Sequence, residues 1–217
     1  MKKSRDMKSD LRQLSRFTFA LWVGMTATIH CGFAQTDVYN VSVAGKTVGS
    51  LRVYRIQPKN DIRVQRVESE FKFLFHSGKF SSQSSFEGGK LVSSVSTHYV
   101  NGDLKEKTRT DIKAGHVYEV LFSEKKDHVT QTKRLNYPIH NTVSTLFYQE
   151  PGEMREVYSE RFGQMCSVKK LSEQRYQVTL PDGKQNLYSY RSGRCTEVEA
   201  DLAGFKLRIV LNENRAN

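Results

Sequence analysis

His76, His98, His116, His128 and His140 could between them supply a metal site or a general base. Their spacing favours neither. Each falls in a different alternating stretch or turn, no His-Glu-x-x-His occurs, and Cys166 and Cys195 do not stand at zinc-ligand spacing. Scattered surface histidines are expected, with no metal and no cofactor. Glu68 and Glu70 share a strand face and could form a carboxylate pair for glycoside hydrolysis, but with Lys72 beside them they read as the solvated side of a sheet. No Gly-x-Ser-x-Gly elbow is present, and Ser81-Ser82-Gln83-Ser84-Ser85 fits exposed strand positions. Gly88-Gly89 reads as a turn between strands, not as a phosphate loop opening a helix. Catalytic residues are therefore expected nowhere, and an enzyme is the least favoured class.

The aromatic residues are a better lead. Phe71, Phe73, Phe75, Tyr99 and Phe122 fall in the central alternating stretches, with Phe80, Phe86 and Tyr118 nearby. On the concave side of a curved sheet they could hold a lipid or another apolar ligand. Aromatics are also common in strands for packing alone, so the same residues fit a solid core. A continuous apolar cavity of several hundred Å³ would decide for the ligand.

Lys2, Lys3, Arg5, Lys8, Arg12 and Arg16 precede an apolar stretch from Phe17 to Ile29, and Gly32-Phe33-Ala34 supplies small residues for cleavage after Ala34. This is the order of a secretory signal, so residues 1–34 are expected to be a signal peptide and the protein to be periplasmic or extracellular. A retained anchor is the alternative, although the apolar run is short against the roughly 20 residues that span a bilayer. A lipid-modified Cys31 is disfavoured by His30. The leader carries +4 of the formal net charge of +11, leaving +7 beyond it. Basic and acidic residues alternate there, which suits anionic lipid or polysaccharide surfaces better than nucleic acid. An oxidising compartment would permit a Cys166–Cys195 disulfide, and two separate buried thiols remain the alternative.

From residue 36 to 217 the sequence reads as a single antiparallel β domain. Stretches of six to ten residues with period-two alternation are separated by Gly, Asn and Asp turn signals, such as Ala44-Gly45, Asn101-Gly102 and Pro181-Asp182-Gly183. The apolar phase changes from Ile62 and Val64 to Val67, Phe71 and Phe73, which suggests a bulge or a change of sheet near Gln65 and Arg66. Residues 141–148 break the pattern, and Val143, Leu146 and Phe147 could be the buried stripe of a short helix begun at Asn141, plugging one end of the sheet. The expected fold is all-β, a strongly curved antiparallel meander or a partly closed barrel with that one helix.

Val43-Ala44-Gly45-Lys46-Thr47-Val48-Gly49, Tyr158-Ser159-Glu160-Arg161-Phe162-Gly163 and the run from Leu180 to Tyr190 with Gly193-Arg194-Cys195-Thr196 resemble segments of a family of uncharacterised exported bacterial proteins, a domain of unknown function. The resemblance implies one exported β domain and carries over no activity. The leading expectation is a non-enzymatic binder of an apolar or amphipathic ligand or of a cell-envelope component. The alternative is a structural or interaction module with a fully packed core.

Overall fold

The computed structural model describes residues 35–56, 61–124, 128–202 and 204–213. The expected signal segment 1–34, with its expected cleavage after Ala34, and Cys31 lie outside the described residues. The alternating stretches form fourteen strands: β1 (Gln35–Val43), β2 (Lys46–Arg55), β3 (Ile62–Phe73), β4 (His76–Glu87), β5 (Lys90–Val100), β6 (Asp103–Ala114), β7 (Val117–Glu124), β8 (His128–Asn136), β9 (Glu156–Ser159), β10 (Gln164–Ser172), β11 (Arg175–Thr179), β12 (Gln185–Arg191), β13 (Arg194–Leu202) and β14 (Phe205–Leu211). They make one antiparallel sheet in the order β8-β7-β6-β5-β4-β3-β2-β1-β14-β13-β12-β11-β10-β9. Each strand pairs with its sequence neighbour except at two places. β1 pairs with β14, from Tyr39 opposite Leu211 to Val43 opposite Leu207, which sews the two ends of the domain together. β8 and β9, consecutive in the chain, are the two outer edges, so the curved sheet stays open.

The hairpins follow from turn chemistry. Asn101 and Gly102 both have positive φ, 54° and 86°, as a two-residue turn matched to strand twist requires. The bulge expected near Gln65 and Arg66 is not there. β3 pairs with β4 without a register shift from Ile62 opposite Glu87 to Phe73 opposite His76. The odd residues point inward throughout, and Gln65 is a buried polar member of that face, where its Oε1 accepts a 2.9 Å hydrogen bond from Thr145 Oγ1. Ile62 and Val64 simply stand on the outer side.

The segment between β8 and β9 runs across the inner face. Its expected helix is a single 3-10 turn, Val143–Phe147, capped by Thr142 rather than Asn141, with Thr142 N–H donating to Thr145 Oγ1 at 3.0 Å. Leu146 and Phe147 are buried as the stripe required, among Tyr39, Val53, Val157 and Tyr188. A second apolar cluster holds Phe86, Leu91, Tyr118, Val120, Ile139 and Tyr158.

The inner face of β4, β5 and β6 presents Ser82, Ser84, Ser94, Ser96, Thr108 and Thr110, all buried. Ser82 and Ser84 are thus inside, contrary to the exposure expected of the serine run. Small side chains leave the room that the crossing segment occupies. Hydroxyls also satisfy its polar groups: Thr110 Oγ1 bonds Tyr158 Oη at 2.7 Å, Thr108 Oγ1 donates to the Arg161 carbonyl at 2.7 Å, and Ser82 Oγ donates to Glu160 at 3.3 Å. Ser84 and Ser94 face each other across β4 and β5 with buried hydroxyls that lack a hydrogen-bond partner, so at these two positions size rather than bonding is what the structure uses.

At the other end of β1, Asp37 is wholly buried and is gripped by Arg55 of β2 at 2.7 Å and Arg194 of β13 at 2.5 Å. The clamp ties the first hairpin to the C-terminal half of the sheet. Removing one partner of a buried pair leaves the other uncompensated, a cost of about 3–5 kcal/mol when both are buried. Both arginines here reach water, so Asp37→Ala is expected to lower stability by about 2–3 kcal/mol, read as a shift of the urea midpoint without change of slope.

Candidate functional site

A cleft separates β2 and β3 from β12, β13 and β14 on the inner side. It consists of two adjoining cavities, of about 210 and 280 Å³, that share Phe71, His98, Arg161 and Leu207. Val41, Leu51, Val67, Phe147, Tyr188 and Ile209 help to line the first, with Ser159, Glu160, Arg161 and Phe162 from the turn after β9. The second runs outward past Phe73, Val100, His76, Lys184 and Phe205. The walls are mostly apolar, and the polar groups gather where the two cavities meet.

Phe71 owes its place to two glycines. Gly49 is its register partner on β2, and on β4 a Cβ at Gly78 would stand 2.3 Å from Phe71 Cε1, so the ring lies against bare backbone. Phe73 stacks edge-on against Phe205 with centroids 5.5 Å apart. Of the other aromatic candidates, Phe75 is in the β3–β4 turn and almost fully exposed, because the strand has already ended at Phe73. Tyr99 lies between His98 and Val100, which both line the second cavity, so the alternation of β5 turns it to the other face. Phe122 packs against Gly163, where an added Cβ would come within 2.6 Å of its ring, and contributes to a separate small pocket with Glu106 and Phe162. The cleft therefore gathers Phe71, Phe73 and Phe80 from the aromatic set and leaves out Phe75, Tyr99 and Phe122.

The polar seam is a triad. Arg161 Nε donates to Glu106 Oε2 at 2.6 Å, and His98 Nδ1 lies 3.7 Å from the same oxygen, beyond hydrogen-bond reach. His98 and Arg161 together hold the Glu106 carboxyl down at about 2, against the opposing effect of burial, and Arg161 is the closer of the two. His98 Nδ1 is buried and lacks a hydrogen-bond partner at the cleft wall. Deeper in, Glu160 is buried and accepts from Ser82 Oγ and from the Ser144 backbone N–H at 3.2 Å. Sequence reasoning takes His98 for one of several surface histidines, whereas it is mostly buried at the cleft wall, and it assigns no role to Glu106, Arg161 or the two glycines. His98 and Glu106 are register partners on β5 and β6, but that pairing depends on a bulge between His98 and Tyr99 that nothing in the local pattern announces.

Cys166 and Cys195 are free thiols, and both are buried in the larger apolar cluster. The bridge that an oxidising compartment would permit is not formed. Burial pushes each thiol up to about 12. Among the described residues, no group of histidine, cysteine and carboxylate side chains is placed to hold a metal ion.

A family model described as a domain of unknown function, DUF6134, matches residues 39–212. The chain belongs to this family. The match spans the strands that build the cleft, from Tyr39 in β1 to Leu211 at the end of β14. No curated protein and no solved structure matches the chain. In this DUF6134 domain Ser159, Glu160, Arg161 and Phe162 line the first cavity of the cleft, while Tyr158 is buried in the second apolar cluster. Ser159 takes up the turn's own donors, with its Oγ accepting from Phe162 N–H at 3.2 Å and its carbonyl from Gly163 N–H at 2.9 Å.

Two predictions follow from the titratable groups. A folded-state carboxyl held near 2 against an ordinary value of 4.5 contributes stability that is complete above about pH 4.5 and is lost as the pH falls through 2. Because Glu106 is partly exposed, the effect is expected to be about 1–2 kcal/mol, and Glu106→Gln should flatten the acid limb of a pH series of urea midpoints by that amount. Ellman's reagent at about pH 8 is expected to leave Cys166 and Cys195 unmodified in the folded domain and to titrate both in denaturant without reductant.

Proposed function

We propose that this domain is an exported, non-enzymatic binding protein that takes an apolar or amphipathic ligand into the cleft. The observation that carries the proposal is the pair of adjoining apolar cavities in place of a solid core. Together they reach the lower part of the range, about 300–1,000 Å³, common for small-ligand sites. A ligand chain would lie along Phe71, Val67, Leu51 and Leu207. A polar end would stop at the seam, where His98, Arg161 and Lys184 offer donors. A cell-envelope component with an accessible acyl chain meets the same requirements. Export is supported by the basic and apolar order of the leader.

Ala200 lines the first cavity from β13, opposite Leu207 of β14, so a larger side chain there would fill the space without touching the polar seam. Titration of the protein without its leader with cis-parinaric acid, followed by polyene fluorescence, is expected to saturate. Ala200→Phe should weaken that binding by about tenfold or more, since overpacking excludes the chain from the cavity. Absence of saturable binding by the unaltered domain, or equal binding by a folded Ala200→Phe variant, would contradict the proposal.

A further inference from the structure

The two most exposed of the large apolar side chains among the described residues stand together at one end of the molecule. Phe75 is 94% exposed and its neighbour Leu74 67%, side by side in the two-residue turn between β3 and β4. Phe205, at the start of β14, is 43% exposed and stacks on Phe73. Phe73 and Phe205 both line the second cavity, so these residues form the outer lip of the cleft.

Local chemistry works against this arrangement. Leu74 has φ +54°, a region that disfavours a side chain with Cβ, and the first position of such a turn ordinarily holds Gly or Asn. Gly88-Gly89 and Asn101-Gly102 follow that preference, whereas Ala44 and Ser192 open their turns at φ 48° and 52° with small side chains, so Leu74 stands apart by its bulk. A bulky apolar residue kept at a strained and solvated position points to something outside the chain that covers it. Charge indicates what. Lys72 leads into the turn, Lys46 begins the adjacent β2 and Lys206 follows Phe205, all exposed. The acids near this lip are Asp201, the register partner of Lys206, Glu70, two residues before Lys72 on the same face of β3, Asp182, paired with Lys184 at 3.2 Å, and Asp103 in the neighbouring β5–β6 hairpin, 3.9 Å from Lys105.

We propose that this lip docks on anionic lipid bilayers, with Leu74 and Phe75 inserted at the boundary between headgroups and acyl chains and Lys46, Lys72 and Lys206 facing the lipid phosphates. Docked in this way, the protein presents the mouth of the cleft to the membrane. The inference does not require a ligand in the cleft, and its test is read without one.

The test is co-sedimentation of the protein without its leader with phosphatidylcholine vesicles, alone or mixed with phosphatidylglycerol. Binding is expected to the mixed vesicles and to weaken in high salt. Leu74→Glu with Phe75→Glu should reduce it by about tenfold or more, whereas Leu171→Glu, at an exposed apolar residue at the far end of the sheet, should leave it unchanged. Leu74→Asn separates docking from folding, because relief of the turn should raise the melting temperature by about 2–4 °C while vesicle binding falls several-fold. An unaltered protein that stays in the supernatant with anionic vesicles, or a doubly substituted one that binds like it, would overturn the proposal. The first result would leave a protein partner as the cover for the lip.

Discussion

A chain that returns across its own sheet needs an inner face with room for it, and here the room comes from hydroxyl side chains. Ser82, Ser84, Ser94, Ser96, Thr108 and Thr110 stand where Val or Phe would fill an ordinary β core. In the space they leave lies the segment from Tyr158 to Arg161, with Ile139 close by against Leu91 and Tyr118, while the 3-10 turn Val143–Phe147 packs against β3 and β13. The exchange is chemically matched. Thr110 meets the Tyr158 hydroxyl, Thr108 meets the Arg161 carbonyl, and Ser82 meets Glu160. Buried tyrosines close the remaining accounts, with Tyr118 Oη donating to the Leu91 carbonyl and Tyr190 Oη to that of Leu146.

The cleft is a consequence of this asymmetry. The returning segment fills the side of the sheet formed by β4 to β8, and its turn after β9 ends against β5 and β6, where Arg161 pairs with Glu106. The side formed by β1 to β3 and β12 to β14 is only partly covered by Leu146 and Phe147. What remains open there is bounded by Phe71, Leu207 and Ile209. Phe71 can border it because Gly49 and Gly78 leave backbone on both flanks. The polar seam therefore sits at the boundary between a filled half and an unfilled half.

Period-two alternation made the all-β class, the chain of hairpins and the placing of Phe71 and Phe73 legible from sequence. Two features escape a local reading. The serine run reads as exposed because a local pattern assigns polar residues to water, and the bulge near Gln65 is read from Ile62 and Val64 as inward positions when they stand on the outer side. Gln65 and Ser82 face inward, where the partners they meet are far away in sequence: Thr145 for Gln65, Glu160 for Ser82. The end of β3 is similar. Phe75 continues the odd phase of Phe71 and Phe73, but a turn at Leu74 ends the strand and places the ring in solvent. Strand order lay beyond reach as well, since the pairing of β1 with β14 depends on contacts between the two ends of the domain.

A cleft that is a binding site and not a packing fault should retain a ligand when the protein is isolated. Native mass spectrometry of the protein purified from its native cells without added ligand addresses this, because it weighs the polypeptide with whatever it retains. A mass above that of the polypeptide, resolving on activation into bare chain and a single apolar or amphipathic small molecule, is the predicted result. A mass equal to the bare polypeptide under conditions that preserve the fold would contradict it.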